Sequence, residues 1–130
     1  MINIPVSVGE LIDKLSILQV KKKNVSNPEK LVYINKEFEL LYNVSAEYLN
    51  DMEIENLYHD LVSTNSILWD IEDRLRVLEQ SSKFEGEFID LARKVYFTND
   101  RRFELKNEIN LLTSSEIREI KEYVEYKNKN

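Results

Sequence analysis

Apolar residues recur along this chain at steps of three and four, the spacing that puts them on one face of an α-helix. Val8, Leu11, Ile12, Leu15 and Leu18 make the first such face, with Ile17 and Val20 on a second one suited to a further element or subunit. Ser7-Val8-Gly9-Glu10 has a glutamate three residues after a serine, the capping box that opens a helix, and Lys21 to Asn24 close it with cations at the negative end of its dipole. Asn27-Pro28-Glu29 opens a second helix carrying Leu31, Ile34, Phe38, Leu41, Ser45 and Tyr48, which ends near Asn50-Asp51.

The third pattern is the strongest. Ile54, Leu57, Leu61, Thr64, Leu68, Ile71, Leu75 and Leu78 hold a heptad seam over about 27 residues, or roughly 40 Å of helix. Phe84-Glu85-Gly86 reads as the turn out of it, and a fourth helix follows with Phe88, Leu91, Val95, Thr98, Arg102, Leu105, Ile109 and Leu112 in register, Arg102 being the misfit. Thr113-Ser114-Ser115-Glu116 reads as another capping box, which predicts a short terminal helix with Ile117, Ile120 and Val124 on one face and fraying over residues 127–130. Two long helices joined by a short turn predict an antiparallel hairpin covered by the first two helices. The expectation is an all-α, four-helix bundle-like fold with a short C-terminal helix, a single helical domain over residues 1–130.

Composition sharpens this picture. With only 2 Gly and 2 Pro in 130 residues, the chain lacks the turn residues that a sandwich or barrel consumes. The balance of 24 acidic to 18 basic residues gives −6, which argues against nucleic acid and anionic membrane as partners. Basic residues nevertheless gather at Lys21, Lys22 and Lys23, and again at Arg93, Lys94, Arg101, Arg102 and Lys106. The absence of cysteine excludes disulfides and thiolate chemistry, and the one histidine, His59, makes no His-rich metal site. No apolar run reaches the ~20 residues of a membrane span and no leader pattern is visible, so a cytoplasmic location is expected.

Chemistry could sit on two polar stripes beside the seams. On the third helix Asn65, Trp69, Glu72, Arg76 and Glu79 lie about a quarter turn from the leucine line, with Asp73 at their edge. On the fourth, Tyr96, Asn99, Phe103, Lys106 and Asn110 form a matching flank, with Arg93 and Asp100 further round. A structural role accounts equally well for this stripe, since Glu72 and Arg76 form an i,i+4 ion pair and Trp69 could simply seal an edge. For Arg102, ion pairing is the expected role ahead of ligand contact. Glycine-rich phosphate loops, nucleophile elbows and His-Glu-x-x-His pairs are absent from the sequence. Oxygen-ligated Mg²⁺ stays open through Glu72, Asp73 and Asp100, although Asp70-Ile-Glu-Asp73 supplies only half of the paired carboxylate turns used by all-α nucleotide pyrophosphohydrolases.

The segments Val6-Ser-Val-Gly-Glu-Leu-Ile-Asp-Lys-Leu-Ser-Ile-Leu18, Leu68-Trp69, Ile71-Glu72-Asp73, Leu91-Ala92-Arg93, Val95-Tyr96, Asn99-Asp100 and Ile109-Asn110 resemble a family of small bacterial and phage proteins known as a domain of unknown function. Asn65, Arg76, Glu79, Phe88, Lys106, Glu119, Lys121 and Tyr123 continue the resemblance over almost the whole chain. It carries no activity, but implies a setting of nucleotide-sugar or glycan metabolism and one polar site drawing on Glu10, Asp13, Lys14, Glu72, Asp73, Arg76, Asn99 and Asp100.

The leading expectation is therefore a cleft for an anionic or phosphorylated small molecule, such as a nucleotide sugar. Arg76, Arg93 and Lys106 would engage the anion, Trp69 or Tyr96 would stack on a ring, and Asn99 would line the site. Glu10, Asp13, Lys14, Asn65, Glu72, Asp73, Asp100 and Asn110 would form the supporting network. The rivals are an adaptor acting through a homodimer or a protein partner, and a Mg²⁺-dependent phosphoanhydride hydrolase using the same carboxylates.

Overall fold

A computed structural model describes residues 1–117 and 119–127. Four helices follow one another, α1 (Val8–Asn24), α2 (Pro28–Leu49), α3 (Met52–Gln80) and α4 (Gly86–Thr113), and the described residues include no strand. Each of the first three begins with a side-chain cap: Ser7 Oγ accepts from Glu10 N at 3.0 Å, Asn27 Oδ1 from Glu29 N at 2.9 Å, and Asp51 Oδ1 from Glu53 N at 2.8 Å. These bonds satisfy N–H groups that have no partner within their own helix.

The long helices α3 and α4 pack side by side and antiparallel. Asp13 of α1 touches both Asn65 and Arg102, and Arg74 pairs with Glu87 near the turn, so rising numbers on α3 face falling numbers on α4. Ile54, Leu57 and Leu61 of α3 meet Leu105 and Ile109 of α4 and Ile12 of α1 in the main core. The helix α1 lies in the groove of this pair and also carries α2, which packs on α1 and α3. Its two faces explain the arrangement. Gly9, Asp13, Ser16 and Val20 make one stripe, turned towards α3 and α4, while Lys22, on the side of Leu11 and Leu18, sits 4.0 Å above the Phe38 ring of α2. The second apolar position Val20 is thus buried within the chain, where a subunit contact had been one expectation.

The seam expected on α3 is buried at Ile54, Leu57, Leu61, Thr64, Leu68, Ile71 and Leu78, with Leu75 half-buried. Thr64 joins it without cost in unpaired groups because its hydroxyl donates to Asp60 O at 2.8 Å. On α4 the seam closes at Leu105 and Ile109, and Leu112 is 46% exposed.

The C-terminus departs from expectation: no fifth helix forms among the described residues. Ser114 takes a left-handed conformation with φ 52, and Ser115 N donates to Asn110 O at 3.0 Å, a Schellman-type ending that stops α4. Ser82, with φ 54, ends α3 in the same way, with Lys83 N donating to Leu78 O at 2.9 Å. The serines read as a capping box are therefore spent on terminating α4, and Ile117, Ile120 and Val124 stay exposed on an irregular tail. Of the fraying expected over residues 127–130, all but Lys127 lies outside the described residues. No described helix is long and apolar enough to cross a membrane.

Close approach of α1 to α4 depends on Gly9, where a Cβ would stand 2.4 Å from the backbone oxygen of Lys106. Gly9→Ala is expected to destabilise the fold by about 2 kcal/mol, because overpacking against backbone outweighs the gain in helix propensity. Urea unfolding of the two proteins measures this directly, as a fall in midpoint at unchanged slope.

Candidate functional site

The polar residues of the first helix do not reach for solvent. Asp13 is fully buried, and its carboxylate accepts from Arg102 Nε at 2.8 Å, Arg102 Nη2 at 2.6 Å and Asn65 Nδ2 at 3.1 Å. Asn65 Nδ2 also donates to Ser16 Oγ at 2.8 Å, while Ser16 Oγ donates to Asp13 O at 2.5 Å. A buried carboxylate is tolerable only with such partners, and the fork of a guanidinium matches its two oxygens. The hydrogen bonds that Arg102 donates to Asp13 hold it above the usual guanidinium range against the opposing effect of burial.

One turn further along α4 from Arg102, Lys106 is buried between Glu10 at 3.0 Å and Glu119 at 2.6 Å. Burial works against its charge, but the bonds to Glu119 and Glu10 prevail and raise its pKa. A further turn along α4, Asn110 Oδ1 accepts from Gly9 N at 2.7 Å, capping a first-turn N–H of α1 from across the bundle. Glu10, Asp13, Asn65, Lys106 and Asn110 thus form an internal polar seam that joins α1 to its neighbours. Arg102, read as a misfit among apolar positions, is its strongest member.

Beside the second half of α1, the helices α3 and α4 leave a cleft of about 640 Å³. It is lined by Trp69, Glu72, Asp73 and Arg76 of α3, Asn99 and Arg102 of α4, and Lys21 of α1, over an apolar floor that includes Ile17, Val20 and Leu68. Asn65 opens onto it from the buried network. Arg76 Nη1 holds Glu72 Oε2 at 3.0 Å, an exposed pair along one helix that leaves both groups available. The Arg102 side chain keeps 27% of its exposure, so one group is both anchored by Asp13 and presented to the cleft.

A second cleft, of about 720 Å³, lies on the other side of Asn99. The tail builds it: Tyr96, Asp100, Phe103 and Glu104 of α4 face Lys121, Tyr123 and Tyr126. The Tyr126 hydroxyl donates to Asp100, and this bond pushes its pKa up to about 12.

The expected site residues are therefore divided. Trp69, Arg76, Asn99, Glu72, Asp73 and Asn65 meet in the first cleft, whereas Tyr96 and Asp100 belong to the second. Lys106 is enclosed by its two glutamates, Arg93 is exposed with its guanidinium 5.7 Å from the Phe97 ring, and Lys14 is exposed on α1. The three cations assigned to one anion do not converge, because residues at steps of three and four on α4 fan out beneath α1 and the tail. Lys21 and Arg102 take the places of Arg93 and Lys106. The triple lysine was the available signal for Lys21, and the misplaced charge was the signal for Arg102. Glu72, Asp73 and Asp100 are split between the clefts, and among the described residues no group of acids and histidines could hold a metal ion.

With this geometry in place, the comparison with known families is decisive on one point: the model of a family of unknown function, DUF6165, matches residues 2–128. The chain belongs to that family. No curated protein and no solved structure matches it. The DUF6165 match thus covers the polar seam and both clefts.

Removal of the buried anion tests the seam. Asp13→Ala is expected to cost about 3 kcal/mol, since it leaves the Arg102 guanidinium half-buried and unpaired. The double variant Asp13→Ala, Arg102→Ala is expected to lose at least ~1 kcal/mol less than the two single losses combined, measured by denaturation as a double-mutant cycle.

Proposed function

We propose that the cleft beside the second half of α1 binds a small molecule that carries an anionic, phosphate-type group and a ring, a nucleotide sugar being one of that class. The observation that carries this reading is Arg102, whose guanidinium is fixed from behind by Asp13 and presented to a cleft that also holds Lys21, Arg76 and Trp69. A preorganised guanidinium loses little freedom on meeting an anion, and its planar donors suit phosphate or carboxylate oxygens. Lys21 and Arg76 add charge, the indole of Trp69 offers a face for a ring, and the Asn99 amide supplies a donor and an acceptor. Glu72 and Asp73 keep the cleft from being uniformly positive, which favours a ligand with hydroxyls beside its anionic group.

The chain has a single tryptophan, and it lies in this cleft. Intrinsic fluorescence therefore reads the site directly. Titration with uridine diphosphate and a uridine diphosphate hexose is expected to give a saturable change in Trp69 emission. Arg76→Ala is expected to weaken that binding by about tenfold, the worth of one charge-assisted hydrogen bond. Arg76 is well exposed, so this substitution leaves the fold intact. Unchanged emission and unchanged melting temperature at millimolar levels of both compounds and of inorganic phosphate would overturn the assignment.

A second reading, assembly through a helical surface, rests on α2. Its outer face presents Val32, Tyr33, Leu40 and Val44 to solvent, with Lys36 and Glu37 one turn before Leu40. On this reading the protein self-associates, and Leu40→Lys shifts its mass in light scattering from dimer to monomer. A wild-type monomer at all concentrations counts against it.

A further inference from the structure

The second cleft has a different chemistry from the first. Its walls carry the rings of Tyr96, Phe103, Tyr123 and Tyr126, and its charged rim has the carboxylates Asp100, Glu104 and Glu125 against the ammonium groups of Lys121 and Lys127. Two of these rings already face a cation. The Lys121 ammonium stands 5.6 Å from the centroid of Phe103 and 5.8 Å from that of Tyr123, within the range of cation–π attraction. It is also 3.8 Å from Glu119, the residue that anchors the tail to Lys106.

We propose that this cleft is a binding site for a small organic ammonium ion, and that the chain's own Lys121 holds the cation position when no ligand is bound. Aromatic faces present negative charge density, and carboxylates at the rim add to it without requiring a rigid coordination geometry. An inorganic cation prefers a shell of oxygens. An alkylated ammonium, weakly hydrated and partly apolar, gains from rings and carboxylates together. The cleft of about 720 Å³ has room for more than the lysine head group, so an incoming amine would displace Lys121 or share the rings with it. The tail need not leave when Lys121 does, because the Glu119–Lys106 ion pair and the Tyr126–Asp100 hydrogen bond hold it on either side.

Calorimetric titration of the whole protein with choline and with spermidine tests this, with the uncharged tert-butyl isostere of choline as the control. Binding of at least one amine and none of the isostere is the expected result. Lys121→Met, which keeps the apolar stem and removes the charge, is expected to tighten amine binding by about tenfold, because an internal competitor is lost. Glu104→Gln is expected to weaken it by several-fold. Trp69 emission is expected to stay constant throughout, since that residue lines the other cleft. Absence of binding in both wild type and Lys121→Met, equal binding of the isostere, or unchanged amine affinity in Lys121→Met would each overturn the proposal. Should Lys121→Met loosen the tail, detected as faster proteolysis after residue 113, the isostere comparison on wild-type protein still decides.

Discussion

A carboxylate with no access to water sits at the centre of this bundle, and the arrangement of the helices follows from its needs. Asp13 is fully buried, and stripping a carboxylate of water costs several kcal/mol even after the protein relaxes. Only a conformation that brings Arg102 and Asn65 to the same point repays that cost. Satisfying both at once sets the register of α1 against α3 and against α4 together. Apolar contacts alone tolerate sliding by a turn, since leucines recur every turn; a two-pronged ion pair does not. The other polar contacts repeat the same lock up the helix, with Glu10 on Lys106 and Gly9 beneath Asn110.

Gly9 and the second half of α1 turn that lock into a site. Without a Cβ at Gly9 the helix can approach α4 closely enough for its backbone N–H to reach Asn110. Once the start of α1 is pinned there, its seventeen residues must end part-way along α3 and α4, which run for 29 and 28 residues. The cleft around Trp69 and Arg102 lies against the second half of that helix, with Ile17, Val20 and Lys21 in its wall. Its position is therefore set by the Asp13–Arg102 pair at its edge, and its lining residues all belong to helices.

Much of this was legible in the sequence, and the pattern of what was not is instructive. The heptad line of α3, the cap at Ser7 and the Asn27-Pro28 start depend on local chemistry that the order of residues displays. The polar stripe was also visible, but its division between buried seam and open cleft was not. Lys106 and Asn99 share a face of α4, yet Lys106 lies under the start of α1 and Asn99 opens onto the cleft beside Ile17 and Lys21. Only the axial position of a separate helix tells them apart. The terminal helix was misread because Thr113-Ser114-Ser115-Glu116 satisfies a start signal, while a serine can also adopt the left-handed conformation that stops α4. Tertiary contacts of Glu119 and Tyr126 then favour an irregular tail over a helix whose apolar face would have no surface to cover.

Arg102 joins the two levels of the structure. As a member of the buried pair it contributes to stability, and as a wall of the cleft it supplies a charge whose orientation does not depend on the ligand. A free surface arginine would have to lose rotamer entropy on binding; this one has already lost it on folding. The arrangement carries a cost for substitution, because removing the guanidinium exposes no simple gap but strands the carboxylate beneath it. Loss of binding in an Arg102 variant would therefore be inseparable from loss of the fold. The cleft is better interrogated at its exposed rim, where Arg76 and Trp69 can change without disturbing Asp13. The same logic separates the two clefts, which share Asn99 but differ in what builds them: the first is walled by helices alone, the second depends on a tail held by two polar contacts. Any ligand that orders or displaces the tail would alter Glu119 beside Lys106, and through Glu10 the start of the helix that carries Asp13.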